Sequence, residues 1–162
     1  MAKRRQVWKV GDVFVVPTSD GQAVLGQVIA HEPEVLNSVS SAFFDVRIDR
    51  DNNWVGILPI QKIFSVLFVT RDLLDIGVWR VIGHQPVRVA RDLFPYERLR
   101  DRGFVGAKVI GSGIVREFLD AYYGLTPWDA WKEPDYLDHL LISPDKKPKS
   151  LVLKAPAKNP SA

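Results

Sequence analysis

Three histidines, one glycine-flanked serine and a pair of closely spaced carboxylates are the residues of this chain whose types and spacing could do chemistry. His31, His84 and His139 are scattered, and none stands where a second ligand would share its strand or helix face, so local metal ligation is not indicated. Ser112 lies between Gly111 and Gly113, a setting superficially like a nucleophile turn or a phosphate cradle. A nucleophile elbow needs glycines two residues either side of the serine, where this chain has Ile110 and Ile114, and a phosphate loop needs a following lysine. Ser112 is therefore expected to sit in a turn that caps the next helix. Glu117 and Asp120, three residues apart, could act as an acid-base pair or bind a hard cation. Arg116 stands four residues before Asp120 and can neutralise it across one helical turn, which favours a solvated face. With no cysteine in the chain, disulfides, thiol catalysis and thiolate zinc sites are excluded. No catalytic residues, metal or cofactor are assigned.

Charge and aromatic content give a different signal. The pI is near 9.2, but the basic groups gather at the ends: Lys3, Arg4, Arg5 and Lys9 at the start, and five lysines against Asp145 over residues 144–162. The body between is net acidic. Within it, residues 86–110 are basic, with Arg88, Arg91, Arg98, Arg100 and Arg102. Residues 111–143 carry Glu117, Asp120, Asp129, Glu133, Asp135 and Asp138 against Arg116 and Lys132. Asp129, Glu133 and Asp135 each have an ordinary role near helix starts. That role does not explain why so many carboxylates collect here. Trp128 and Trp131 lie near Tyr122, Tyr123 and Tyr136. Such a cluster ordinarily packs a core, and rigid aromatics rimmed by carboxylates also suit a protein interface.

The elements that must position these residues read as mainly β. Val10 to Val16 and Ala23 to Ala30 are apolar runs around Asp20-Gly21, a tight-turn signal, and predict a hairpin with Gly26 at a bulge or bend. Ala42 to Asp49 and Trp54 to Leu58 flank Asp51, Asn52 and Asn53 and predict a second hairpin. Ile63 to Val69, Trp79 to Gly83 and Ala107 to Ile110 are further strand candidates, with Tyr96 to Gly103 a solvated loop or frayed helix between the last two. Ile114, Val115, Phe118, Leu119 and Tyr122 follow helical spacing, and Gly124 is placed to stop that helix. Thr126-Pro127 and Pro134 are start signals for two short helices. The expected fold is α+β and mainly β: a strongly bent antiparallel sheet or half-open barrel with short C-terminal helices.

The chain has 162 residues, 46% of them hydrophobic, enough for one core. Residues 1–143 are expected to form that single domain. Residues 144–162 should form a basic, proline- and lysine-rich mobile tail, with Leu151 to Leu153 a candidate edge strand. No apolar run approaches membrane-spanning or signal-peptide length, so a cytoplasmic location is expected.

Several segments together resemble the immunity protein 26 family of bacterial polymorphic toxin systems. Lys9-Val10-Gly11-Asp12-Val13-Phe14-Val15-Val16-Pro17 with Gly26-Gln27-Val28 is similar to that family's first hairpin, and Gly77-Val78-Trp79-Arg80-Val81-Ile82-Gly83-His84 resembles its central tryptophan strand. Gly111-Ser112-Gly113, Tyr122-Tyr123-Gly124-Leu125 and Pro127-Trp128-Asp129 also look like forms seen there. The resemblance implies a small cytoplasmic bacterial protein that binds a cognate toxin domain and blocks it without catalysis. The expected contact surface is Glu117, Asp120, Asp129, Glu133, Asp135 and Asp138 with Trp128 and Trp131, facing a basic toxin surface such as a nuclease cleft. Two readings stay open beside it. One is a nucleic-acid-binding β-domain using the basic ends and the arginines of residues 86–110; the other is an enzyme with a dispersed site around His84.

Overall fold

In the first strands apolar groups stand on successive residues rather than alternating, a pattern stable only where both faces of a sheet are covered. The computed structural model, which describes residues 5–93, 97–103 and 105–154, shows that arrangement. β1 (Asp12–Pro17) and β2 (Gln22–Glu32) form the expected hairpin, closed by Gly21 at φ +83°. Phe14 and Val16 point into one core with Val24, Phe43, Trp79 and Phe118. Val13 and Val15 point into a second core with Leu25, Phe44, Phe68 and Val89. Each buried side chain of this size contributes roughly 1.5–3 kcal/mol, so the sheet is held from both sides.

The sheet is open, six-stranded and mixed, in the order β5-β1-β2-β3-β4-β6. β3 (Ser38–Asp49), β4 (Ile63–Val69) and β5 (Arg80–His84) extend it antiparallel, β5 crossing over to pair with β1. β6 (Val109–Ile110) lies parallel to β4, so the sheet is not wholly antiparallel. Register shifts at Val24/Leu25, Val28/Ala30 and Phe43/Phe44 mark the bulges that bend it. Gly26 stands beside the first of these, and its requirement is steric. A Cβ there would lie 2.5 Å from the Phe14 ring, which stacks on Trp79 at 5.5 Å.

Several local readings change in the folded chain. Trp54 to Leu58 is not a strand; β3 pairs instead with β4. Arg80 donates to the Arg50 and Asn52 carbonyls and to Asn53 Oδ1. Gln85 accepts from the Leu58 amide and donates to the Gly56 carbonyl, so side chains hold this segment as a loop. Its Val55 and Ile57 are 90% and 72% exposed. The stretch expected as a solvated loop or frayed helix after β5 holds a 3-10 helix, Glu97–Arg102, pinned by Arg100 to Glu97 and to buried Glu32.

Two helices follow the strand pattern. α1 (Asp72–Asp75) is one turn between β4 and β5, and α2 (Ser112–Tyr122) buries Val115, Phe118, Leu119 and Tyr122 against the first core. Gly124, at φ +75°, ends α2 by letting the Leu125 amide reach back 2.9 Å to the Asp120 carbonyl. Ser112 does not cap α2; it is buried, and its hydroxyl donates to the Asp72 carboxylate at 2.8 Å, tying α2 to α1. No helix forms after Thr126-Pro127, because the Trp128 amide donates to the Val152 carbonyl and Pro127 makes a parallel bridge with Val152. The segment after Pro134 forms a 3-10 helix, Tyr136–Leu140, with Leu137 and Leu140 in the core. Residues 144–154 fold back here, with Val152 bridging Pro127 and not joining the sheet edge. Residues 155–162 of the expected mobile tail lie outside the described residues, as do Lys3 and Arg4. Among the described residues no helix is long and apolar enough to cross a membrane.

Candidate interaction surface

α2 sets the site, because its outward face must carry the residues that its apolar stripe does not use. Glu117 is exposed and walls a cleft of about 440 Å³ with Thr126, Pro127, Ala130 and Trp131. Trp131 is half-buried and packs on Tyr136 at 4.9 Å, which fixes the indole while leaving part of it open. One turn along the helix, Asp120 accepts the Ser19 amide of the β1–β2 turn at 2.9 Å. That contact joins α2 to a polar network on β3. Arg47 donates to both Asp20 oxygens at 2.6 and 2.7 Å, and its guanidinium lies 4.4 Å from the centre of the Tyr123 ring. Tyr123 donates its hydroxyl to Asp45 at 2.8 Å.

Ionisation follows from these partners. Burial alone would raise the Asp20 carboxyl, but hydrogen bonds from Thr18, Arg47 and the Gln22 amide, with the Arg47 charge, hold it down at about 2. Burial and the Asp45 charge push the Tyr122 phenol up to about 12, and the Tyr123 phenol is also raised, by burial first and then by Asp45. At neutral pH the face therefore presents ionised Asp20 beside neutral tyrosines.

The sequence-derived residues divide. Glu117, Asp120 and Trp131 fall on this face, and Glu133, two residues beyond Trp131, is exposed. Asp129 accepts the Lys154 amide at 2.5 Å, and exposed Asp135 lies 3.3 Å from His139. Trp128 and Asp138 pair with each other: Trp128 is 1% exposed and donates Nε1 to Oδ1 of half-buried Asp138 at 2.7 Å. Burial would raise Asp138, but the Trp128 and Lys147 hydrogen bonds and the Lys147 charge hold its carboxyl below the usual range. Asp20, Asp45, Arg47 and Tyr123 were missed. Asp20-Gly21 and Tyr122-Tyr123 are visible as motifs, yet the pairings that join them span 78 and 101 residues of chain.

The alternative sites also have definite surroundings. His84 Nδ1 lies 3.0 Å from Oδ1 of buried Asp12, which also accepts the Lys9 amide, so the pair ties β5 to the entry of β1. Among the described residues no group of three or more histidines and carboxylates is arranged to hold a metal ion. Of the arginines in residues 86–110, Arg88 and Arg102 are exposed, Arg100 is committed to Glu32 and Glu97, and the side chains of Arg91 and Arg98 lie outside the described residues.

The open, bulged sheet thus carries, beside α2, a partly exposed aromatic face rimmed by carboxylates. The model of the family described as Immunity protein 26 matches residues 9–103, and the chain belongs to that family. The match spans β1 to β5 and the 3-10 helix after them, and it ends before α2. Neither the curated proteins nor the solved structures yield a match.

Proposed function

We propose that this chain is a bacterial cytoplasmic immunity protein that binds a cognate toxin domain and occludes it without catalysis. The observation that carries the contact surface is the cleft at Glu117 and Trp131, continuous along α2 with the Asp120, Asp20 and Asp45 network. Trp131 supplies a rigid partly open aromatic anchor. Glu117 and Glu133 supply negative charge that is not drawn into the fold, and the network behind them extends the field toward a basic toxin surface. Trp128 supports this face from inside, held by half-buried Asp138, whose carboxylate is engaged by the indole and by Lys147. Asp129 and Asp135 lie at its margin.

The test is co-expression with candidate toxin domains followed by affinity measurement on the pair that is rescued. Glu117→Lys should weaken binding about tenfold to a hundredfold and flatten its salt dependence, with the melting temperature unchanged. Rescue by the unmodified chain with no change in affinity or salt slope for Glu117→Lys would remove the assignment of this surface. Failure of every toxin pairing would remove the function itself.

A further inference from the structure

A second cleft, on the far side of the sequence from α2, is cationic. It measures about 440 Å³ and is lined by Arg5, Trp8, Lys9, His31, Arg71 and Asp75, among others. Its wall is the segment entering β1, which is not a loose end. The Gln6 side chain donates to the Leu74 and Trp79 carbonyls and accepts the Val81 amide, while the Gln6 amide donates to the Asp75 carbonyl at 2.6 Å. Asp75 then orients two groups. Trp8 Nε1 donates to Oδ1 at 2.7 Å, and Arg71 Nε donates to Oδ2 at 3.0 Å.

With both Asp75 oxygens taken, no other carboxylate among the described residues meets the outer edge of the Arg71 guanidinium. Its NH1 stands 3.4 Å from His31 Nε2, and that nitrogen is 2.6 Å from Asn37 Oδ1. A contact this short to a carbonyl oxygen needs the proton on His31 Nε2, so Arg71 faces a donor with a donor. Turning the Asn37 amide does not resolve this, since Arg71 and Asn37 would then compete for one lone pair. The guanidinium is also held over Trp8, 5.4 Å from the ring, with His31 edge-on to the same indole at 5.5 Å. Two further cations stand at the rim, each with a carboxylate on its inner side: Arg5, 77% exposed, lies 3.8 Å from Asp75, and Lys9, 71% exposed, lies 3.5 Å from Asp12. A planar fork fixed on one edge by Asp75, with donors left on its outer edge and two exposed cations nearby, is an arrangement that receives a phosphate or carboxylate.

We propose that the cleft between Trp8, His31 and Arg71 is a binding site for an oxyanion, with Arg71 as its fork donor. The volume lies within the range of small-molecule sites and exceeds what one oxyanion fills, leaving room for the group that bears it. This site is separate from the α2 face and does not depend on the toxin reading.

The experiment is a titration of the full chain with inorganic phosphate at constant ionic strength, read by the Trp8 indole N–H and the His31 ring signals in NMR. Parallel arms use acetate, a nucleoside 5′-monophosphate and chloride. Saturable shifts with phosphate and none with chloride are expected, with Arg71→Gln weakening the apparent affinity about tenfold. Arg71→Lys keeps a charge beside Asp75 but lacks the fork, and should fall between the two; it carries the test if Arg71→Gln lowers the melting temperature. Tighter binding of the nucleotide than of phosphate identifies a phosphate ester as the ligand class, and equal binding of acetate identifies a carboxylate. Non-saturating shifts equal to those with chloride, or shifts that survive in both Arg71 variants, would overturn the proposal.

Discussion

Trp128 and Trp131 are three residues apart and share a neighbourhood of carboxylates, yet they have opposite fates. At Trp128 the ring is enclosed and its N–H is answered by Asp138, so the carboxylate is consumed in holding the ring. At Trp131 the ring is pinned by Tyr136 but open toward Glu117, whose charge stays outside. The difference teaches that residue type in this region does not assign role. What assigns it is whether the carboxylate's hydrogen-bonding capacity is used internally.

The largest effect expected from breaking this contrast is on the closed side. Trp128→Ala should lower stability by about 3–5 kcal/mol through loss of buried area and the cavity left behind, measured by urea unfolding. Asp138→Ala should cost about 1–3 kcal/mol, because it leaves the Trp128 N–H buried without an acceptor. On the open side the prediction reverses. Trp131→Ala should reduce toxin affinity about tenfold or more while the unfolding midpoint moves little, measured by calorimetry beside thermal melts. If Trp131→Ala unfolds the protein and spares binding, the two corners are alike and the contrast fails.

The smallest effect sharpens the electrostatics. The folded-state carboxyls of Asp20 and Asp138 lie below their unfolded value near 3.8, so their contribution is fully present above that value and is lost as pH falls through the folded one, about 2 for Asp20. Stability should therefore decline with acidification below about pH 4. Asp20→Asn should show a shallower decline than the unmodified chain, and an identical slope would show that the Arg47 bridge gives no such linkage.

Local signals carried the first hairpin, β4, β5 and α2, because turn residues, apolar runs and helical spacing act within a few residues. Wherever a distant partner decided the outcome, they failed. Val55 and Ile57 look like strand residues, but Arg80 and Gln85 hold their backbone in a loop. Thr126-Pro127 looks like a helix start, but the Trp128 amide is claimed by Val152. The parallel placement of β6 and the pairing of β5 with β1 depend on crossovers that periodicity does not encode. In the candidate site the carboxylates and tryptophans were legible as a group, and their division into held and open members was not. That division rests on hydrogen bonds such as Ser19 to Asp120 and Lys154 to Asp129, made between segments with no shared pattern.

β6 meets the sheet through only two paired positions, Phe68 with Val109 and Val69 with Ile110, and everything beyond it lies outside the stretch that matches the family. The narrow ladder is not what holds the two portions together: Val115, Phe118, Leu119 and Tyr122 of α2 complete the first core over Phe14, Phe64 and Trp79. The Leu140 carbonyl and Ile142 amide bind Ser65 and Phe64, so the unmatched portion roofs the matched sheet and the two share one interior.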